Sequence, residues 1–263
     1  MSDLLKAAFL GLVQGLTEFL PISSSAHLEA LRRVLDFKIE GLAFDLALHV
    51  GTLIAVLIYF RGDIAGIIAS PKRISILLRL GVAMLPIVIL GFLLKSWREH
   101  LPAWAPVAGW TFSGLYLLLI TRGRGGTGTY AEAPPRTALG IGAAQALAIF
   151  PGVSRSGSTI TAGLLCGLSR EEAARFSFLL SIIAVALASA DKAKDVLKSG
   201  ADHSSLYSAA LVGMPVSFVT GMIAIHLLLR IVRADYFHRF GWYNLGAAAA
   251  YGIYLFVNRP PSA

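Results

Sequence analysis

The sequence predicts an all-α integral membrane protein built as an inverted-topology repeat, and three observations predict it. Of the 263 residues, 56% are hydrophobic and only 14% are charged, with a mean hydropathy of +0.70, whereas soluble domains carry about 25% charged residues. Six long apolar segments follow one another along the chain. A polar motif occurs twice, once near the N-terminus and once in the middle.

Six segments are long and apolar enough to cross a bilayer, which takes about 20 mainly apolar helical residues. They are 43–60, 76–94, 103–121, 173–190, 205–229 and 240–257. The net charge of +8 is scattered over the short segments between them, with no basic stripe interleaved with aromatic residues. This pattern favours contact with anionic membrane lipids and argues against nucleic acid as a partner.

The two motif regions differ from these spans because each is interrupted by a proline and a polar cluster. Apolar segments 4–20 and 26–35 flank Pro21, and segments 137–150 and 159–168 flank Pro151. Broken backbone at membrane depth is stable only where it is buried in protein or faces water. We therefore expect two re-entrant helical hairpins; a single kinked span is the alternative.

The repeat is visible in the register of the two motifs. Gln14 and Phe19 correspond to Gln145 and Phe150, 131 positions later in both cases (145 − 14 and 150 − 19). We expect a single membrane domain with repeat 1 at about 1–121, a Gly- and Pro-rich flexible linker at about 122–136 and repeat 2 at about 137–263. Each half holds one re-entrant hairpin and three transmembrane helices. The alternative is a coincidence among residues that are common in apolar helices.

An odd number of crossings in each half inverts the second half relative to the first. Inverted repeats place their functional site at the interface of the halves, near the middle of the membrane. The sequence therefore predicts that the two motifs meet. Ten basic residues fall on the N-terminal side of the spans and twelve on the other side, which leans weakly towards termini outside.

The first motif carries a carboxylate, Glu18, one helical turn after Gln14, so the two side chains share a helix face. Oxygen ligands of this kind suit a divalent cation such as Mg²⁺ or Ca²⁺. The alternative for Gln14 is a hydrogen bond between helices. For Glu18 we expect a functional role, because an ionised carboxylate at membrane depth is costly.

Three serines, Ser23, Ser24 and Ser25, precede the helix that carries His27. Serine hydroxyls cap helix N-termini, and the same amides and hydroxyls can bind an anion. Beside Glu18, we interpret His27 as catalytic; a hydrogen-bonded core histidine is the alternative.

The second motif repeats this design with a guanidinium. Arg155 can bind phosphate in a bidentate manner, and Ser154, Ser156 and Gly157 form a turn whose amides can bind an anion. A snorkelling arginine is the alternative for Arg155.

Three further residues are left open or assigned no function. Asp45 and His49 are also one helical turn apart and form either a second polar pair near the site or satisfied core partners. Cys166 lies in an apolar stretch and is expected to be a buried, inert thiol.

Together these groups predict a ligand that is a phosphate or pyrophosphate with a lipid tail. Phosphoryl transfer needs positioning and neutralisation of charge, which a cation and an arginine supply. The nucleophile stays open: His27 or a serine hydroxyl such as that of Ser24 attacks phosphorus, or His27 acts as an acid or base. The alternative function is a polyprenyl-phosphate flippase, since transporters also use inverted repeats with broken helices.

Both motifs resemble the signatures of the bacterial undecaprenyl-diphosphatase (bacitracin-resistance) family. The first reads QGLTEFLPISSSAH from Gln14 and the second reads PGVSRSGSTI from Pro151. Segments 44–53 and 176–180 fit as well, so the resemblance covers essentially the whole chain. Two departures are Gln14, where many members have Glu, and the pair at 25–26, where Thr-Gly is usual.

The resemblance implies hydrolysis of undecaprenyl pyrophosphate to the monophosphate, which recycles the carrier lipid of peptidoglycan synthesis, with dependence on a divalent cation. It also implies a multi-pass protein of the bacterial inner membrane whose site opens to the extracytoplasmic side. By position it assigns family site roles to a set of residues in both motifs. They are Gln14, Glu18, Ser24, His27, Ser154, Arg155 and Ser156.

Overall fold

The computed structural model describes residues 2–35, 42–199 and 204–258, and all regular elements within these ranges are helices. The α-helices are α1 (Asp3–Phe19), α2 (Ser24–Leu35), α3 (Leu42–Tyr59), α4 (Arg61–Ala69), α5 (Arg73–Leu93), α6 (Lys95–Glu99), α7 (Ala105–Ile120), α8 (Pro135–Ala146), α9 (Arg155–Leu165), α10 (Arg170–Ser199), α11 (Ser204–Arg233) and α12 (Phe240–Val257). Two 3-10 turns occupy Leu147–Ile149 and Phe237–Arg239. The all-α prediction is confirmed.

Helices lie at all six predicted spans, and those of sufficient length cross a bilayer. Arg73–Leu93, Arg170–Lys198 and Ser208–Arg233 are long and apolar enough on their own. Ala43–Tyr59 and Arg61–Ala69 are bent by 59° relative to each other and are long and apolar enough only when taken together as one span. The apolar helix α7 is shorter, at 16 residues. The chain is therefore a multi-pass membrane protein.

The outer surface of these helices is apolar where a soluble protein is polar. Phe92 in α5 is 83% exposed, Leu119 in α7 is 79% exposed and Phe256 in α12 is 68% exposed. Contiguous exposed apolar surface of this kind marks contact with lipid. In the bilayer these side chains contact hydrocarbon instead of water, which is favourable for apolar groups.

The two polar motifs interrupt their helices as the sequence predicts. α1 ends at Phe19 and α2 begins at Ser24, while α8 ends at Ala146 and α9 begins at Arg155. Pro21 and Pro151 lie in the gaps, where the missing N–H group and the ring of proline favour a break in the helix. Each motif therefore forms a turn between two short helices.

Helices of one half of the chain pack on helices of the other. α1 packs along α11 and α8 packs along α5, while α7 packs on α12. Small residues allow the first two pairs to approach closely. A Cβ atom on Gly11 would lie 2.5 Å from the Gly213 carbonyl oxygen, and one on Gly142 would clash with the Ala83 carbonyl. Such small-residue contacts are the usual way in which membrane helices pack tightly.

α7 and α12 hold the two turns through matching hydrogen bonds. Ser113 in α7 donates to the Gly152 carbonyl at 3.3 Å, and Asn244 in α12 donates to the Pro21 carbonyl at 2.8 Å. The two donors are 131 positions apart, and so are the two acceptors (244 − 113 and 152 − 21). Each half therefore fixes the turn of the other half with a buried polar side chain.

The segment expected to be a flexible linker is attached to the helices. Gly126 donates to the Leu168 carbonyl at 2.9 Å, and Ser169 donates to the Gly128 carbonyl at 2.9 Å. The Tyr130 ring packs 5.7 Å from that of Phe176. Glycine composition alone did not reveal these bonds, which tie the segment to the start of α10.

The sequence-based expectation for Cys166 is wrong. The residue directly follows α9, and its side chain is exposed. The apolar stretch that suggested burial ends there, because Gly167 takes a positive φ of 86° and turns the chain towards α10. The thiol is consequently accessible to reagents.

Candidate active site

The first turn is held in a specific conformation by residues from the second half of each repeat. The Trp110 indole nitrogen donates to the Ile22 carbonyl at 2.8 Å, beside the Asn244 bond to Pro21. Ser23 adopts a positive φ of 66°, a conformation that is uncommon for residues other than glycine. Such backbone persists where surrounding contacts over-determine it, typically at functional sites.

Glycine and serine residues hold the second turn in its conformation. Gly152 has a φ of 90°, and the Ser154 backbone N–H donates to the Ser113 hydroxyl at 3.2 Å. The Ser154 hydroxyl caps α9 by accepting from the Gly157 N–H at 3.1 Å. Capping of a helix by serine is what the sequence predicts here. The N-terminus of α9, with Arg155 as its first residue, is thereby fixed.

The two turns meet at the Glu18 carboxylate. Arg155 donates to Glu18 Oε1 at 2.7 Å, while the Ser24 hydroxyl donates to Oε2 at 2.7 Å and the Gln14 amide donates to Oε2 at 3.1 Å. The side chains of Arg155 and Glu18 are only 14% and 8% exposed. Glu18 therefore joins both motifs, and its charge is balanced by one guanidinium and two polar donors.

His27 lies at the edge of this cluster and faces a different element. Its Nδ1 is 2.8 Å from the Ser23 carbonyl oxygen, which can only accept, so Nδ1 carries the proton. Nε2 then accepts from the Tyr243 hydroxyl at 2.8 Å, and the Trp110 ring packs edge-on at 4.9 Å. Among the described residues, no hydrogen bond links His27 to Glu18 or Arg155.

The sequence was compared with known proteins. Residues 7–250 match the family model of bacitracin resistance protein BacA. The chain belongs to this family. An undecaprenyl-diphosphatase of Trichlorobacter lovleyi is 41% identical over 93% of this chain and 94% of the relative. One of Geobacter sulfurreducens is 40% identical over 97% and 99% of the two chains, and one of Hahella chejuensis is 39% identical over 96% and 98%.

Gln14 supplies an amide and not a second carboxylate beside Glu18, so the fit of a cation depends on the oxygens that this chain provides. The Gln14 side chain is fully buried, and its Oε1 atom has no hydrogen-bond partner among the described residues. A buried carbonyl oxygen without a donor is costly, and Oε1 lies on the amide that contacts Glu18. One carboxylate, one orphaned amide oxygen and the nearby serine hydroxyls suit a hard cation that also binds substrate oxygens. Within the described part of the chain, no group of three His, Cys, Asp or Glu side chains could hold a metal by itself.

Two cavities flank α2 on opposite faces. An apolar cavity of about 580 Å³ lies between α1, α2, α7 and α12. On α2 its lining residues are His27, Ala30, Leu31 and Val34. A charged cavity of about 450 Å³ lies on the other face, between α2, α3 and the end of α10. The helical spacing of α2 thus separates apolar from charged surroundings, with Ser24 at its first position.

The remaining predicted site residues lie in the same two turns. The Ser154 and Ser156 hydroxyls are 3.2 Å apart, and Ser156 donates to the Leu20 carbonyl at 3.0 Å. Ser23 and Ser25 face each other at 3.5 Å. A Cβ on Gly157 would lie 2.5 Å from the Tyr116 hydroxyl, so this position admits only glycine without a shift. Roles of these residues in phosphate binding stay predictions.

Sequence reasoning missed the residues that hold the motifs from outside. Trp110 and Tyr243 lie within apolar helices, where an aromatic residue is ordinary core. Asn244 was detectable, because a fully buried asparagine in an apolar span is unusual and it falls 131 positions after Ser113. Arg32 and Lys192, counted only among the ten basic residues on the N-terminal side of the spans, both contact Asp45.

Proposed function

We propose that the protein hydrolyses undecaprenyl pyrophosphate to undecaprenyl phosphate and phosphate, which recycles the carrier lipid for peptidoglycan synthesis and confers resistance to bacitracin. Membership of the BacA family and relatives named undecaprenyl-diphosphatase support this activity. The observation that carries it is the Glu18 carboxylate, bonded to Arg155 and Ser24 at 2.7 Å each, between two helix N-termini.

The apolar cavity beside this cluster supports a lipid substrate. Most ligand pockets are apolar with a few convergent polar groups, and this one is bounded by Phe9, Leu12 and Val34 with His27 at its polar end. A prenyl chain is an apolar hydrocarbon, so it matches the apolar side chains that line the cavity. The position of His27, where apolar cavity and polar cluster meet, supports a role beside the phosphate that stays on the lipid.

The contacts of Ser24 support its hydroxyl as the nucleophile. When the terminal phosphate binds, Arg155 exchanges its bond to Glu18 for bonds to phosphate oxygens, and the carboxylate becomes a stronger base. The Ser24 proton passes to Glu18 as Oγ forms a bond to the terminal phosphorus. The bond to the bridging oxygen breaks, undecaprenyl phosphate leaves, and water then hydrolyses the phosphoserine to release phosphate.

A divalent cation such as Mg²⁺ or Ca²⁺, held by Glu18 and the Gln14 carbonyl oxygen, would neutralise negative charge on the pyrophosphate. The orphaned Gln14 oxygen supports this assignment. In the absence of substrate the three donors around Glu18 hold the carboxylate in place.

For the architecture we propose an inverted repeat in which each half contributes one re-entrant hairpin and three transmembrane helices. The exchanged packing of α1 on α11 and α8 on α5 supports it. The matching bonds of Ser113 to Gly152 and Asn244 to Pro21 support it independently. Neither correspondence is expected from a chance similarity of apolar helices.

We propose that the protein resides in the bacterial inner membrane with its site open to the extracytoplasmic side. In an inverted repeat, the end of α9 and the N-terminus lie on opposite sides. The exposed Cys166 can be labelled directly, and Ser2→Cys in a Cys166→Ser background reports the other side. An impermeant maleimide should label position 2 in intact spheroplasts and Cys166 only after permeabilisation. Labelling of both positions from one side contradicts the topology.

The activity is tested with purified protein in detergent, undecaprenyl pyrophosphate labelled in the terminal phosphate, and Mg²⁺. We expect release of labelled phosphate and formation of undecaprenyl phosphate, with loss of both when a chelator is added. Rapid acid quenching should trap a labelled protein in the wild type and not in Ser24→Ala. Lipid translocation in vesicles without any phosphate release would instead favour the flippase.

A further inference from the structure

The charged cavity on the far face of α2 has no role in the chemistry described above. It has a volume of about 450 Å³ and is lined by side chains that include Ser25, Arg32, Asp45, His49 and Lys192. These residues come from α2, α3 and α10, which are far apart in sequence. Charged groups assembled from three helices within a membrane protein are costly and mark functional sites.

The donors in this cavity exceed the acceptors. Asp45 accepts from Arg32 and lies 3.7 Å from the Lys192 ammonium, a separation beyond hydrogen-bond distance. The Arg32 Nε–H group is buried and has no partner among the described residues. His49 Nδ1 lies 2.8 Å from the Asp45 carbonyl oxygen, so it must donate there and cannot accept from Lys192. Glu29 and Arg33 also line the cavity and pair with each other, so among the described residues the Arg32 Nε–H group and the Lys192 ammonium lack an acceptor at good geometry.

The cavity begins next to the reacting groups. Ser25, in its lining, directly follows Ser24, whose hydroxyl is bonded to Glu18. The charged cavity thus lies on the face of α2 opposite the apolar cavity and begins one residue along the chain from Ser24.

We propose that this cavity binds the phosphate released by hydrolysis, with Arg32 and Lys192 as donors and Asp45 as the carboxylate that occupies them until phosphate arrives. The assignment rests on the proposed function. Before cleavage the terminal phosphate is held at Ser24 and Arg155, so the cavity receives it as orthophosphate after the phosphoserine is hydrolysed. α2 then separates the two products, because the prenyl chain binds on one face of the helix and phosphate binds on the other.

The test uses inorganic phosphate as the probe, by equilibrium dialysis of labelled orthophosphate against the detergent-solubilised full chain and by inhibition of lipid hydrolysis. Lys192→Met and Arg32→Gln should each raise the Kd and the Ki for phosphate about tenfold, the change expected for loss of one charge-assisted hydrogen bond. Asp45→Asn should lower both constants, because a competing carboxylate is removed. Lys95→Met is the matched control, since Lys95 pairs with Asp191 outside the cavity, and it should change neither constant.

The opposite sign for Asp45→Asn separates binding from structural support, because a merely destabilised cavity would weaken phosphate binding in all three variants. A KM for undecaprenyl pyrophosphate that stays at the wild-type value in Lys192→Met supports binding of released phosphate, and a parallel rise in KM would contradict it, because the cavity would then hold the intact lipid. Unchanged phosphate constants in Lys192→Met and Asp45→Asn would overturn the proposal. Absence of hydrolysis in the wild type would refute the proposed function instead, and the dialysis measurement would still decide whether phosphate binds.

Discussion

Glu18 and Arg155 are 137 positions apart in the chain, yet Arg155 donates to the Glu18 carboxylate at 2.7 Å. Neither residue is accessible enough for water to replace its partner fully, since their side chains are 8% and 14% exposed. The pair therefore fixes the two turns against each other. It also supplies the charges that a pyrophosphate would exchange on binding.

The close approach of α1 to α11 predicts that Gly11→Ala is destabilising. Its Cβ would lie 2.5 Å from the Gly213 carbonyl oxygen, which belongs to the backbone and is not the end of a flexible side chain. Overpacking of this kind costs about 1–3 kcal/mol. Gly81→Ala in α5 is the control, because a Cβ there meets nothing within 4 Å. In denaturant titrations in detergent we expect lower stability for Gly11→Ala only; equal stability of the two variants would contradict the packing.

The buried Asn244 predicts a loss of stability in Asn244→Leu. The substitution keeps the volume and removes the donor to the Pro21 carbonyl, which leaves a buried acceptor unpaired at a cost of about 1–3 kcal/mol. Asn258→Leu, at the exposed end of the same helix, should change stability by less than about 0.5 kcal/mol. Thermal unfolding monitored by a tryptophan signal checks both, and indistinguishable midpoints would rule out a role for Asn244 in holding the turn.

The apolar cavity predicts a dependence on the length of the substrate chain. Ala247→Trp in α12 fills part of the cavity, so the KM for undecaprenyl pyrophosphate should rise while that for a short prenyl pyrophosphate changes less. Ala249→Trp is the control, because Ala249 is exposed and lines a different part of the surface. A uniform rise of KM for long and short chains would show that the prenyl chain binds elsewhere.

The unpaired oxygen of Gln14 predicts that substitutions at this position change the affinity for the cation. Gln14→Glu adds a second carboxylate beside Glu18, so the Mg²⁺ concentration for half-maximal activity should fall. Gln14→Leu removes the oxygen ligand and should raise that concentration. Titration of activity with Mg²⁺ after removal of bound ions by a chelator gives both values, and identical titrations for the two variants would exclude Gln14 as a ligand.

The contact between the two motifs could be predicted because matching residues in the two motifs are separated by a constant number of positions. The spacing of 131 positions between Gln14 and Gln145 indicates two related halves, and the proposed inversion predicts the contact of Glu18 with Arg155 that the structure contains. The broken helices followed from proline and serine, which act locally. These signals lie within short segments of the sequence and can be recognised without knowing how the helices pack.

The surroundings of the site could not be predicted from local patterns. The contacts of Asp45 with Arg32 and Lys192 depend on how α2, α3 and α10 pack, and each residue alone is an ordinary charge near the end of a helix. The Tyr243 hydroxyl likewise reaches His27 across a gap of 216 positions, with no pattern to mark the pair. Only long-range packing places these groups, so the structure was needed to find them.

The central claim is that Glu18 and Arg155 act as one unit in hydrolysis, and a double-mutant cycle tests it most directly. The kcat/KM for phosphate release from undecaprenyl pyrophosphate is measured for the wild type, Glu18→Gln, Arg155→Met and the double variant. Each single substitution should lower kcat/KM by about 10²–10³-fold, and the double variant should fall about as far as the worse single variant, as residues that act together do. A double variant whose loss equals the product of the single losses, about 10⁴-fold or more, would show that the two residues work independently and would contradict a single shared site.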